Sequence, residues 1–157
     1  MEANIGLAPK TRKEVAKILN NLLSDEYLLY TKTLKYHWNV HSIVFHDFHK
    51  LFLEQYEALL EIADKVAERA RAVGEPAFGS MTEFLKHARL KEEPGKIPDA
   101  HGMIKQLLSD HETIIRQLRQ DIETCADLGD MGTNNFLTDL MEKHEKIAWM
   151  LRATGEK

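Results

Sequence analysis

The sequence predicts an all-α fold, a bundle of four long helices with a short helix in the connection between the second and the third. Apolar residues recur at helical spacing in four long segments of the 157-residue chain, and no segment has the alternating pattern of a strand. The two outer links are short, whereas the middle link is long and contains prolines and glycines. Two short links and one long crossover are typical of one class of four-helix bundle.

The first two helices are predicted over residues 11–38 and 43–73. Thr11 and Glu14 match the Thr-x-x-Glu pattern of a capping box, which predicts that the first helix begins there. Gly74 follows the apolar stripe of the second helix, and glycine commonly ends a helix.

The long connection covers residues 75–100 and contains a second capping box, Ser80 with Glu83. This box predicts a short helix over 81–89. The remaining elements are predicted as a third helix over 99–127, a turn over 128–132 and a fourth helix over 133–153.

Composition indicates a single globular domain over residues 1–157 with a short N-terminal tail at 1–10, because 43% of the residues are hydrophobic. The formal net charge of −4 argues against DNA as the obvious partner, since DNA binding depends on Lys and Arg. The single cysteine, Cys125, excludes an internal disulfide and fits a reducing compartment. No apolar run is long enough to span a membrane and no leader is recognised, so we expect a cytoplasmic protein.

An acidic stripe follows one face of the second helix at spacings of three and four residues, and it contains almost no Lys or Arg. Its carboxylates are those of Glu54, Glu57, Glu61, Asp64 and Glu68. An ordinary solvated face is one interpretation. The other is that Glu54, Glu57 and Glu61 face a cavity and nucleate ferric mineral, because clustered carboxylates bind hydrated iron.

His37, His49, Asp64 and Glu68 are the candidate metal ligands and catalytic residues, since imidazole and carboxylate together suit iron. His49 and Asp64 lie about 22 Å apart along one helix, so they cannot share a metal within one chain. Two antiparallel copies of the helix, related by a two-fold axis, could bring the histidines of one chain beside the carboxylates of the other. The sequence therefore predicts a site between subunits.

The segment His37-Trp38-Asn39, together with His49, Asp64 and Ala67-Glu68-Arg69, resembles the signature of the Dps family, the small ferritin-like DNA-binding proteins from starved cells. The resemblance implies a ferritin-like bundle and a hollow shell of twelve subunits with ferroxidase centres at two-fold interfaces. It also implies oxidation of Fe(II) by hydrogen peroxide in preference to O2, storage of Fe(III), and protection of DNA. Carried over by position, His37 and His49 are ligands from one subunit, and Asp64 and Glu68 come from its mate. Zinc is a possible substitute for iron in the same site.

The sequence departs from the family pattern at Leu53, where the family usually has a carboxylate four residues after the second ligand histidine. His46 could substitute as a ligand. Ser42 stands where the family commonly has glycine, and the short tail carries only a small basic cluster at Lys10, Arg12 and Lys13. DNA binding is therefore left open, as is nucleoid association. Two alternatives to the ferroxidase are a DNA-condensing shell and a shell that binds another metal.

Further polar residues have two interpretations each. Glu26, His111 and His144 fall on apolar helix faces, and we expect a hydrogen-bonded core cluster because Glu-x-x-His spacing for an internal di-iron site is missing. An acidic group near the last turn could line a three-fold pore that draws in Fe(II), or could cap the fourth helix. Its members are Asp127, Asp130 and Asp139. Trp38 is either a packing residue or an electron donor beside the site.

Overall fold

A computed structural model describes residues 3–155 as five α-helices. They are α1 (Pro9–Asn39), α2 (Phe45–Ala72), α3 (Met81–His87), α4 (Ala100–Asp127) and α5 (Met131–Gly155). No strand occurs within these residues. The all-α prediction is confirmed, and each predicted helix boundary lies within two residues of the observed one.

The start of α1 was predicted from the wrong signal. The helix begins at Pro9 with Ala8 as its N-cap, and no side chain caps it. The Thr11–Glu14 capping box is therefore not the start of the helix. The physical reason is that proline at the first helical position has its φ already set and lacks an N–H that would need a partner. Arg12 donates from Nη1 to the carbonyl oxygens of Ala3 (3.0 Å) and Leu7 (3.1 Å), which ties the preceding segment to the helix.

The other helix ends follow local chemistry more closely. Gly74 follows α2 with a φ of +96°, a conformation that favours glycine. The second capping box is formed as predicted: the Ser80 side chain accepts from the backbone N–H of Glu83, whose carboxylate accepts from the N–H of Ser80. The predicted turn at 128–132 is shorter than expected, because Asp130 accepts from the N–H of Thr133 (2.9 Å) and α5 begins at Met131.

The long helices pack as two antiparallel pairs, α1 with α2 and α4 with α5. The ring of Tyr36, late in α1, contacts that of Phe52, early in α2, and His111 of α4 bonds to His144 of α5. Lys32 of α1 bonds to Asp110 of α4 (2.6 Å), which joins the two pairs. The largest completely buried side chains are Phe52, Leu19, Leu22, Leu23, Leu29, Leu59, Met103, Ile104, Leu107, Ile114, Leu118 and Leu137.

The long crossover is held against α1 by polar contacts. Arg89 donates to Asp25 of α1 (2.6 Å) and to Asp121 of α4 (3.2 Å). The side chain of Asn20 accepts from the N–H of Phe78 (2.8 Å). These contacts hold the crossover against α1 and α4. Among the described residues, no helix combines the length and the apolar character needed to cross a bilayer.

Candidate metal centre

The end of α1 and the first turns of α2 bring His37 and His49 together. The ring Nδ1 of His37 lies 2.8 Å from the carbonyl oxygen of His49, and Nδ1 of His49 lies 2.9 Å from the carbonyl oxygen of His37. Because a carbonyl can only accept, each Nδ1 must carry the proton and donate it. In the neutral rings, both Nε2 atoms therefore keep a lone pair available for a metal ion.

Neighbouring aromatic side chains hold the two imidazoles in position. The His37 and His49 rings stack with centroids 3.8 Å apart. Phe45 stacks on the outer face of this pair, 4.9 Å from the His49 ring, and Tyr56 packs edge-on against His37 at 5.2 Å. His37 is buried and His49 is half-buried, so packing within the chain itself fixes the positions of both rings.

Asp64 and Glu68 lie far from this histidine pair, on the exposed side of the second half of α2. Asp64 lines a groove of about 660 Å³ together with Glu57 and Glu61, facing Tyr27 of α1. Neither Asp64 nor Glu68 has a hydrogen bond or an ion pair among the described residues, so both carboxylates remain available.

A single chain therefore contains only parts of the predicted site. Within residues 3–155, no three His, Cys, Asp or Glu side chains lie close enough to hold a metal ion together. The structure brings His37 and His49 together, but Asp64 and Glu68 of the same chain lie away from the two histidines. His46 is exposed in the first turn of α2, and Leu53 is half-buried one turn after His49.

The acidic stripe of α2 is less uniformly acidic than the sequence interpretation assumed. Glu54 pairs with Lys50 (3.8 Å), and Glu61 forms an ion pair with Lys65. The hydrogen bond from Lys65, followed by its charge, lowers the pKa of Glu61. The expectation that almost no Lys or Arg offsets the stripe was wrong in this respect, because lysines four residues away reach the carboxylates. Glu57 remains exposed without such a pair.

The acidic group at the α4–α5 turn does not form one surface. Asp130 is only 4% exposed, caps α5, and accepts from Arg69 of α2 at 3.1 Å. Asp139 pairs with Lys143 (2.6 Å), and Asp127 is exposed. For Asp130, the geometry agrees with the capping interpretation.

Other residues singled out in the sequence have clear positions. Trp38 is 69% exposed, so it does not pack in the core of its own chain. Glu26, His144 and His111 form the expected buried cluster, with 2.9 Å separating His144 Nε2 from Glu26 Oε1. Burial, followed by the charge of His144, lowers the pKa of His111 well below its ordinary value.

Sequence reasoning missed two residues that matter to these clusters. Tyr56 supports His37, and its position seven residues after His49, two turns along the same face, was a usable signal. Gln55 is buried in the core. Its signal was weaker, a polar residue at core spacing between Phe52 and Leu59.

Comparison with known proteins identifies the family. The model of the ferritin-like domain family matches residues 16–157. The chain is 49% identical over 151 residues to an uncharacterised low temperature-induced protein of Nostoc sp., which covers 96% of this chain and 84% of the relative. It is 31% identical to DNA protection during starvation protein 2 of Bacillus anthracis, over 90% of this chain and 96% of that protein. The structure also matches the crystal structure of a Dps protein from Vibrio cholerae, with a TM-score of 0.92 and 31% identity over 99% of this chain and 98% of the other. That protein is described as a member of a broad superfamily of ferritin-like diiron-carboxylate proteins. The chain therefore belongs to the Dps family of ferritin-like proteins.

Proposed function

We propose that this protein oxidises Fe(II) at a site shared between two copies of the chain and stores the Fe(III) product inside a hollow shell. The family relationship supports iron storage in general. The name of the Bacillus anthracis relative supports a role in protecting DNA. In this proposal the protein works in the cytoplasm, where stored iron no longer reacts with peroxide beside DNA.

The arrangement of His37 and His49 is the single observation that carries the proposal. Reciprocal bonds from each Nδ1 to a backbone carbonyl leave both Nε2 atoms free, in rings stacked 3.8 Å apart. A hydrogen bond from the ring nitrogen that does not bind the metal orients a metal-binding histidine and raises the basicity of its other nitrogen. Asp64 and Glu68 of a second copy supply the anionic oxygen ligands, which stabilise Fe(III) more than Fe(II) and so favour oxidation.

Pairing two electrons with one peroxide makes the reaction safe. Two Fe(II) ions, one H2O2 and two protons give two Fe(III) ions and two water molecules, so no hydroxyl radical is released. A single Fe(II) would leave the peroxide half-reduced. Leu53 is therefore important, because it removes one carboxylate from the family's ligand set. Exposed His46, one turn before His49 on α2, is the substitute ligand in this proposal.

The oxidised iron then moves to the inner wall in this scheme. Glu57, exposed and without a lysine partner, is the best placed of the three proposed nucleation residues; Glu54 and Glu61 must release lysine side chains first. The twelve-subunit shell and the acidic pore belong to the same proposal. Asp127 and Asp139 are more accessible for such a pore than Asp130.

Anaerobic loading with Fe(II), followed by peroxide in one sample and air in another, tests the proposal. We expect fast ferric absorbance with peroxide and iron retained in the high-mass fraction. The variant combining His49→Ala with Asp64→Ala should fall to the protein-free rate. His101→Ala, an exposed histidine outside the site, should match the unmodified protein. If the double variant assembles and still oxidises and retains iron at the rate of the unmodified protein, the assignment of His49 and Asp64 as ligands is refuted.

A shell that binds another metal is the second candidate, and Leu53 is the observation that favours it. Zinc prefers four nitrogen, sulfur or oxygen ligands, which two histidines and two carboxylates provide. Stoichiometric zinc binding without iron turnover would favour this function. A DNA-condensing role is tested by a gel shift at increasing salt, because contacts with phosphate weaken steeply as salt rises.

A further inference from the structure

Four buried polar side chains, one from each long helix, point to a separate feature in the core. Glu26, Gln55, His111 and His144 are each at most 5% exposed. Three of them form a hydrogen-bonded chain: Glu26 Oε1 lies 2.9 Å from His144 Nε2, and His144 Nδ1 lies 2.9 Å from His111 Nδ1. Both ring nitrogens of His144 thus take part in hydrogen bonds, whereas only Nδ1 of His111 does.

Several polar atoms of these four side chains have no partner among the described residues. They are His111 Nε2 and both the nitrogen and the oxygen of the Gln55 amide, with Glu26 Oε2 at the opposite end. A buried polar atom without a hydrogen bond costs about 1–3 kcal/mol, so leaving these atoms unpaired would be costly.

The register of the helices places Gln55 and His111 at the same height in the bundle. Tyr56, next to Gln55, contacts both Tyr30 and His37 of α1, so Gln55 lies opposite the segment between them. His111 follows Asp110, which bonds to Lys32 within that segment. The two unsatisfied side chains therefore lie within about one helical turn, ~5.4 Å, along the bundle axis.

The hydrogen-bonding chemistry favours a partner that can both donate and accept. If His144 is neutral and donates to Glu26, His111 must donate through Nδ1, and its Nε2 accepts. If His111 takes up a second proton, its Nδ1 still donates to His144 and its Nε2 becomes a donor as well. Water serves either state, and so does the Gln55 amide. A divalent metal fits poorly, because only one imidazole nitrogen and one amide oxygen are free here and zinc sites normally have four ligands.

We propose that the core of the bundle binds one water molecule between Nε2 of His111 and the side-chain amide of Gln55. The water completes a polar chain from α1 through α5 and α4 to α2, and it satisfies atoms that the protein alone leaves unpaired. Buried waters with two or more polar partners are integral parts of protein cores. The inference does not depend on the proposed iron chemistry.

Denaturant unfolding of the assembled, iron-free protein tests the water site through the sign of one effect. Gln55→Leu keeps the side-chain size and removes a partner of the water, so the folded-to-unfolded ratio should fall about tenfold. If no water is bound, the same change removes an unsatisfied amide and raises stability, which would overturn the proposal. Gln120→Leu, on the exposed surface of α4, is the matched control and should leave the midpoint unchanged.

A crystal structure of the unmodified protein at high resolution supplies the second test. We expect a water within hydrogen-bonding distance of both His111 Nε2 and the Gln55 amide, absent from the Gln55→Leu variant. A direct bond between the two side chains, a metal ion, or no density between them would each refute the proposal.

Discussion

Acid should destabilise this protein through His111, in a way that can be isolated by one substitution. His111 is completely buried, and burial lowers its pKa well below 6.5, so the folded protein holds it neutral. The unfolded chain binds a proton at this residue near pH 6.5. Stability is therefore fully present above pH 6.5 and falls by about 1.4 kcal/mol per pH unit below it, until the lowered pKa is reached.

Urea unfolding of iron-free protein at pH 7, 6 and 5, at matched subunit concentration, measures this loss of stability. His111→Asn keeps a polar atom near the place of Nδ1 but does not titrate. The variant should be less stable at pH 7, yet its stability should fall less steeply below pH 6.5 than that of the unmodified protein. Equal slopes would show that His111 does not take up the proton on unfolding, and the reasoning from its burial would be refuted.

Three other changes test individual contacts. Asp130→Ala removes the cap of α5 and a buried ion-pair partner, and thermal unfolding should show a loss of about 2–3 kcal/mol, whereas Asp139→Ala, on the surface, should cost less than about 0.5 kcal/mol. Gly74→Ala should destabilise the protein by about 1 kcal/mol or more, because the φ of +96° is strained for alanine and an added Cβ would lie 2.7 Å from a neighbouring side chain. Gly79→Ala, where an added Cβ meets open space, is the control. Equal melting temperatures of the two variants would contradict the argument. Leu53→Asp should raise the number of Fe(II) ions bound per site and the peroxide reaction rate, measured by anaerobic titration and stopped-flow absorbance; an unchanged stoichiometry would show that Leu53 does not limit iron binding.

Much of the fold could be predicted from local pattern. Helical spacing of apolar residues placed the four long helices, and the capping box of Ser80 and Glu83 placed the short one. Gly74 marked the end of α2, because capping and positive-φ turns involve neighbours in the chain. The start of α1 was misplaced because two local signals competed, and the fixed φ of Pro9 was the stronger one.

The candidate site could be predicted only as a set of residue types and spacings. The spacings and the family resemblance predict His37, His49, Asp64 and Glu68 as ligands, and they predict that a second copy completes the site; both stay predictions. The bonds of each histidine Nδ1 to the opposite carbonyl depend on how the link between α1 and α2 folds back. No property of either residue in the linear sequence specifies that geometry.

The sequence by itself determined the helices and their apolar faces, because periodicity and capping are local properties of the chain. Only the tertiary structure decided which polar atoms are paired. Asp130 became a buried partner of Arg69, and the side-chain amide of Gln55 was left without a partner among the described residues, through the register between helices distant in sequence. That register follows from packing the whole core, in which every side chain constrains its neighbours.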